Sequence, residues 1–241
     1  MADHDRRRAI FRHITGAIQQ PTARDGQKSI GPSEIGDPCG WCVGKALCRK
    51  YPEHWWGPAE DLKEEHFSLK AWTGTAVHEK LERDVRGHIH NYGQVYKEAT
   101  VPIVDLDGYG LVKGHVDVLA PATVLDYKNR DLNDIRKIKL TGVLPQKELV
   151  QTNLYGHGAR QLGMPVEDLC TIYIPRDSNY PEDIFPAFLE PSEAVVERSL
   201  ERLATIWETV RSGRGDTLKP FEGSDKAKPC YSCVLRYKLS R

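Results

Sequence analysis

Apolar positions recur along this chain with two different periods. Over residues 75 to 90, Val77, Leu81, Val85 and Ile89 return every fourth position behind a threonine suited to an N-cap, which predicts a helix. Three short segments rich in Val, Ile, Leu and Tyr follow, at residues 94 to 105, 111 to 119 and 123 to 128. Asp107-Gly108 and Ala120-Pro121 separate them as turn signals, so they predict a strand meander. Residues 146 to 162 return to helical spacing, and 170 to 174 read as a short buried strand. Residues 192 to 211 align Val196, Leu200, Leu203, Trp207 and Val210 on one face, with Pro191, Ser192 and Gly213 at the ends. Before these elements, residues 5 to 20 suit a short basic helix and 21 to 37 an irregular lead-in. Residues 51 to 61 form a loop whose Trp55 and Trp56 are either tucked on the core or exposed for stacking. The expected fold class is α/β, a mixed central sheet flanked by helices.

With 241 residues, 39% hydrophobic and 28% charged, the chain accommodates one globular domain over 1–241, its core in residues 71–190. No apolar run is long enough for a membrane span, and the opening MADHDRRRAIF lacks the apolar stretch of a signal peptide. A cytoplasmic protein with no membrane partner is expected. Thirty-four basic residues balance 34 acidic ones, so any attraction to nucleic acid must come from local patches and bound cations. Six cysteines in a reducing compartment, two pairs of them spaced C-x-x-C, read as metal ligands before disulfides.

Chemistry concentrates in Gly114-His-Val-Asp117 and Val124-Leu-Asp126-Tyr127-Lys128. Side chains alternate along a strand, so Asp126 and Lys128 share a face while Tyr127 points away. Asp117, at the end of the preceding strand, can reach the same spot. Two carboxylates on rigid strands suit Mg²⁺ or Mn²⁺, and a lysine beside that cation can position or deprotonate a water and offset phosphate charge. A lone D-x-K is weak, being more often an ordinary surface ion pair. Two helical pairs add to it. His78 and Glu82 lie four apart and can present an imidazole and a carboxylate to one site, and Gln151 and Tyr155 can offer an amide and a phenol to a nucleic acid.

Taken in order, the G-x-x-x-H-x-x-x-E of Gly74 to Glu82, the G-x-x-D of Gly114 to Asp117, the D-Y-K of Asp126 to Lys128 and the Q-x-x-x-Y of Gln151 to Tyr155 resemble the RecB-like branch of the PD-(D/E)xK exonucleases. The resemblance implies a restriction-endonuclease-like core and a Mg²⁺ or Mn²⁺ site formed by His78, Asp117 and Asp126, with the Tyr127 carbonyl assisting. It also implies that Lys128 completes the catalytic set and that Gln151 and Tyr155 help hold DNA. Glu98 stands where that family often carries an acidic residue, though a solvated strand carboxylate is an equal reading.

Cys39-Gly-Trp-Cys42 and Cys230-Tyr-Ser-Cys233 can together close a tetrahedral zinc site or hold a [4Fe–4S] cluster, joining segments 33–50 and 225–241. Cysteines flanking the core resemble the CRISPR-associated and phage-encoded iron-sulfur exonucleases and AddB-type nuclease domains, and on that ground alone iron-sulfur leads over zinc. That family commonly uses one early and three late cysteines, whereas this chain has three early and two late. The choice of four ligands is therefore open; Cys39, Cys42, Cys230 and Cys233 are the favoured set, with Cys48 as the substitute and Cys170 in the core.

The resulting expectation is a metal-dependent DNA exonuclease acting on free ends, on single strands, in phage or prokaryotic recombination, repair or processing. Recombination or replication proteins are conceivable partners, and a phage enzyme would work in its host's cytoplasm. Trp41, Trp55, Trp56 and Trp72 can stack bases, and Lys128, Arg130, Arg136, Lys137 and Lys139 can follow a backbone or form a solvated basic face. The alternatives are a non-catalytic iron-sulfur or zinc DNA-binding accessory protein and a structure-specific endonuclease.

Overall fold

A computed structural model of the chain describes residues 29–63, 69–85, 87–89, 93–221, 230 and 233. The basic helix expected at residues 5 to 20 and most of segment 225–241 lie outside these described residues.

The antiparallel strands β3 (Tyr96–Leu106), β4 (Gly110–Ala120) and β5 (Thr123–Arg130) form the expected meander. Then β5 pairs in parallel with β6 (Asp168–Pro175), and β7 (Phe185–Leu189) closes the far edge antiparallel to β6, giving the order β3-β4-β5-β6-β7. A parallel pair needs a crossover. Here it consists of α5 (Leu132–Thr141), which ends on Gly142 at φ +66°, and α6 (Gln146–Gln161). A separate small ribbon pairs β1 (His88–Ile89) with β2 (Gly93–Gln94).

The main core lies between this sheet and α6 with α7 (Glu193–Arg211). Val101, Ile103, Val112, Val116 and Leu169 of the sheet meet Val150, Leu154, Tyr155 and Ala159 of α6 and Val196, Leu203, Trp207 and Val210 of α7. Two glycines let α6 approach so closely. A Cβ on Gly156 would stand 2.7 Å from Leu169, and one on Gly158 would stand 2.4 Å from the Pro102 carbonyl and 2.8 Å from the Val101 side chain. The other face of the sheet packs Val95, Val118 and Tyr127 against Leu81 of α4 (Leu69–Asp84) and Val85 just beyond it. The N-terminal elements α1 (Pro32–Ile35) and α2 (Gly40–Cys48) fold back on the main core, fastened where Ile30 N–H donates to Tyr109 Oη at 2.9 Å. The short α3 (Glu60–Lys63) follows them.

The sequence expectation differs from the structure in four places. The helix carrying His78 runs from 69 to 84, so Thr75 is interior and not its cap. It stops early because the Gly87 carbonyl accepts the Val95 N–H at 2.9 Å, which turns Ile89 into the small ribbon. The lead-in at 21 to 37 is not wholly irregular, since Glu34 returns its carboxylate to the Gly31 N–H and closes a helical turn. Helices α2 and α5 and strand β7 were not anticipated. Among the described residues, no helix is long and apolar enough to cross a membrane.

Because a side chain at Gly158 meets backbone that cannot step aside, Gly158→Ala should cost about 1–3 kcal/mol of stability. Gly74, inside α4, has nothing within 4 Å of its would-be Cβ. Gly74→Ala should instead gain about 0.5–1 kcal/mol from helix propensity. Equilibrium urea denaturation of both variants checks the contrast in sign.

Candidate active site and cysteine centre

Strands β4 and β5 stay paired only from Val118 to Ala120 against Thr123 to Leu125. Beyond that point they part, and the Asp117 carboxylate fills the gap, its Oδ2 accepting the Tyr127 backbone N–H at 2.6 Å. Its other oxygen, Oδ1, lies 3.1 Å from His78 Nδ1, and the Tyr127 ring stands edge-on to the His78 imidazole at 6.0 Å. Opposite Asp117 on β3 sits Glu98, between the paired residues Lys97 and Ala99, with φ +49°. A left-handed conformation at a non-glycine residue costs on the order of 1–2 kcal/mol. It persists where surrounding structure over-determines it, and such strain clusters at functional sites. Here the sheet's faces exchange: Val116 and Val118, two apart, pack in different clusters.

The result is that one ligand atom from each of His78, Glu98 and Asp117 lies within 4.8 Å of the others. Asp126 lines the same cleft, 2% exposed, with Lys128 Nζ 2.6 Å from its Oδ2. Lys128 is thus the partner that offsets the burial of this carboxylate. Burial pushes the Asp126 carboxyl up, Lys128 opposes the shift, and Asp117 adds to it. An imidazole and two carboxylates, with the buried Asp126 carboxylate lining the same cleft, are a donor set that fits a divalent cation. Glu82 does not join them; it is exposed, and its backbone carbonyl takes the Lys97 ammonium.

The cleft has a volume of about 1080 Å³ and extends from these carboxylates to Gly31 and Pro32. Its buried wall contains Gln151, whose amide donates to Tyr155 Oη at 2.9 Å, and burial raises the Tyr155 phenol. Gly114 explains why the glycine of the G-x-x-D segment matters: a Cβ there would stand 2.7 Å from the Tyr155 ring and 2.8 Å from Pro32. Glu148, which the sequence reading overlooked, is 2% exposed, ion-paired to Arg130 and accepting the Tyr173 hydroxyl at 2.6 Å. The available signal was its position on the same helical stripe as Gln151, Thr152 and Tyr155.

The expected basic track divides. Lys128 and Arg130 line the cleft, but on α5 Lys137 pairs with Asp134 and Lys139 lies over the Phe185 ring of β7, and neither lines it. Nor do the early tryptophans form an open stacking platform. Trp41 is 5% exposed and edge-on to Trp55 and Trp56, which are tucked beside it, whereas Trp72 is partly exposed.

These three rings wall the cysteine centre. Cys39 caps α2 and Cys42 lies in its first turn, where the helix N-terminus favours thiolates. The sulfurs of Cys39, Cys42, Cys230 and Cys233 all lie within 4.8 Å of one another, so this cluster can bind a metal. Thiols packed this way perturb each other: contact with Cys233 pushes Cys42 up, and donation from Cys233 pulls Cys39 down. Cys48 and Cys170 are fully buried elsewhere, with burial pushing their thiols up to about 12 and about 11. The substitute role considered for Cys48 is therefore excluded by its place in the main core.

No family model matches the chain, and no curated protein matches it. Among solved structures, the fold is similar to that of an alkaline exonuclease (LHK-Exo) from Laribacter hongkongensis, with a TM-score of 0.53 at 9% identity over 77% of this chain and 89% of that one. LHK-Exo in complex with dAMP gives 0.52 at 11% identity over the same shares. A candidate exonuclease from Eubacterium rectale gives 0.52 at 12% identity, covering 92% of this chain and 94% of that one. The chain thus shares the fold of these structures, a mixed five-stranded sheet flanked by helices, with a four-cysteine cluster that could bind a metal.

Proposed function

We propose that the protein is a Mg²⁺- or Mn²⁺-dependent deoxyribonuclease of the RecB-like PD-(D/E)xK kind, hydrolysing phosphodiester bonds at DNA ends. The observation that carries this reading is the convergence in one cleft of His78, Glu98, Asp117 and the buried Asp126–Lys128 pair, from a helix and three strands. The nuclease folds of the neighbours support it, and the dAMP bound to LHK-Exo supports a deoxynucleotide substrate. When bound there, a divalent cation lowers the pKa of a coordinated water and polarises the phosphoryl oxygen. His78, Glu98, Asp117 and Asp126 hold the site; Asp117 is fixed by the Tyr127 N–H, which leaves it little freedom to rotate. Lys128 orients the attacking water and offsets charge developing on the phosphate. Lys113, Lys128 and Arg130 supply positive charge along the cleft. Single strands with free ends are the substrate we favour, in prokaryotic or phage DNA processing. On the cysteines, the family resemblance would place a [4Fe–4S] cluster, with a single zinc ion as the alternative.

Lys128→Ala should lower the rate about a hundredfold or more, the scale for removing one group that stabilises the transition state; because it also strips the buried Asp126 of its counter-charge it should cost stability as well, so the rate is compared per folded molecule. End-labelled single- and double-stranded DNA digested with Mn²⁺ reads this out; unchanged turnover would sink the assignment.

The metal set makes its own prediction. Calorimetric titration with Mn²⁺ should show His78→Ala, Glu98→Ala and Asp117→Ala weakened by at least the roughly 10- to 100-fold that loss of an outer-shell partner costs. Glu82→Ala should bind as the parent does. Equal affinity across all four variants would place the cation elsewhere.

A further inference from the structure

We propose that Cys39, Cys42, Cys230 and Cys233 hold a single tetrahedral zinc ion and not the [4Fe–4S] cluster that the family resemblance implies. Sulfur spacing separates the two. Four thiolates around one zinc ion, each bonded at about 2.3 Å, stand about 3.8 Å apart at the corners of a tetrahedron. In a cubane cluster each thiolate points outward from its own iron at a separate corner, which widens the separation to roughly 6 Å. In this protein Cys42 Sγ is 3.1 Å from Cys233 Sγ and 3.7 Å from Cys230 Sγ, and the widest pair of the four lies within 4.8 Å. These spacings bracket the single-ion value and fall short of the cluster value.

The early pair of cysteines has no room to withdraw and admit a larger group. Cys39 and Cys42 are carried by the start of α2, whose Val43, Ala46, Leu47 and Cys48 are buried in the main core. Gly44 on the same helix is in such close packing that a Cβ would stand 2.7 Å from Leu218 and 2.8 Å from Trp56. Moving α2 outward would break that packing, and Trp41, Trp55, Trp56 and Phe221 crowd the cysteines themselves. On the other side, Cys230 is tied by its N–H to the Phe221 carbonyl at 2.8 Å. Zinc carries no redox chemistry, so the site is a clamp whose binding energy becomes folding energy.

The test is metal analysis and sulfur-distance measurement on the full chain, purified anaerobically from cells supplied with both iron and zinc. The expected result is one zinc per chain, no iron or acid-labile sulfide, no visible absorption band, and X-ray absorption fitting four sulfurs at about 2.3 Å from zinc. Cys42→Ser should lose the zinc, whereas Cys48→Ala should keep it in full. Iron with acid-labile sulfide and a broad visible band would overturn the proposal, as would metal-free protein or zinc ligated by fewer than four sulfurs. The wild-type measurements decide the matter even if Cys42→Ser fails to fold, and none of them depends on nuclease activity.

Discussion

The Asp117 carboxylate accepting the Tyr127 amide is the contact on which the site depends. Where β4 and β5 part, Tyr127 would otherwise lose its ladder partner on that side, and a buried amide left unpaired costs about 1–3 kcal/mol. A side chain replaces the missing main-chain acceptor, and the same side chain faces His78 with its second oxygen. One residue therefore closes the sheet's defect and contributes to the donor cluster. On its other side β5 stays paired with β6 throughout, which holds Asp126 in register with Thr171 and Lys128 with Tyr173.

Much of this was legible in the sequence because its determinants are local. Alternation along β5 put Asp126 and Lys128 on one face, and helical spacing put Gln151 beside Tyr155; both relations follow from backbone period alone. Glu98 is different. Its place opposite Asp117 depends on a positive φ that exchanges the faces of two strands, and the alternation of Val95, Val101 and Ile103 gives no sign of it. Helix α2 was hidden for another reason. Its Gly40-Trp-Cys-Val-Gly44 start reads as poor helix, yet Gly44 is what allows Trp56 and Leu218 to close over it, so tertiary packing overrides propensity. At the end of α4 the apolar spacing that runs on through Val85 and Ile89 outlasts the helix, since past Asp84 the chain pairs Gly87 O with Val95 N–H and enters the small ribbon.

Two buried carboxylates in one cleft are handled in different ways. Glu148 is fully engaged, with Arg130 on one oxygen and the Tyr173 hydroxyl on the other. Asp126 is paired with Lys128, whose Nζ stands 2.6 Å from its Oδ2. Burial pushes its carboxyl up against that pairing, so the charge at Asp126 depends on one lysine. The Glu148 carboxylate is held at both oxygens, and the Asp126 carboxylate leans on a side chain that also lines the cleft.

The cysteine centre reaches that cleft by one short segment. From Cys39 the chain runs back through Gly36, whose Cβ would stand 2.6 Å from the Lys147 carbonyl, and Ile35, whose own carbonyl accepts from the half-buried Arg202. It then reaches Pro32, which packs over Gly114 and lines the cleft. The candidate cation ligands come from α4, β3, β4 and β5, none of which belongs to this segment. Closing the centre therefore fixes the wall of the cleft beside Tyr155 and leaves the carboxylates to be set by the sheet. Shape on one side and charge on the other are held by separate parts of the chain, so loosening the cysteine cluster would move the wall beside Tyr155 and leave the carboxylates in place.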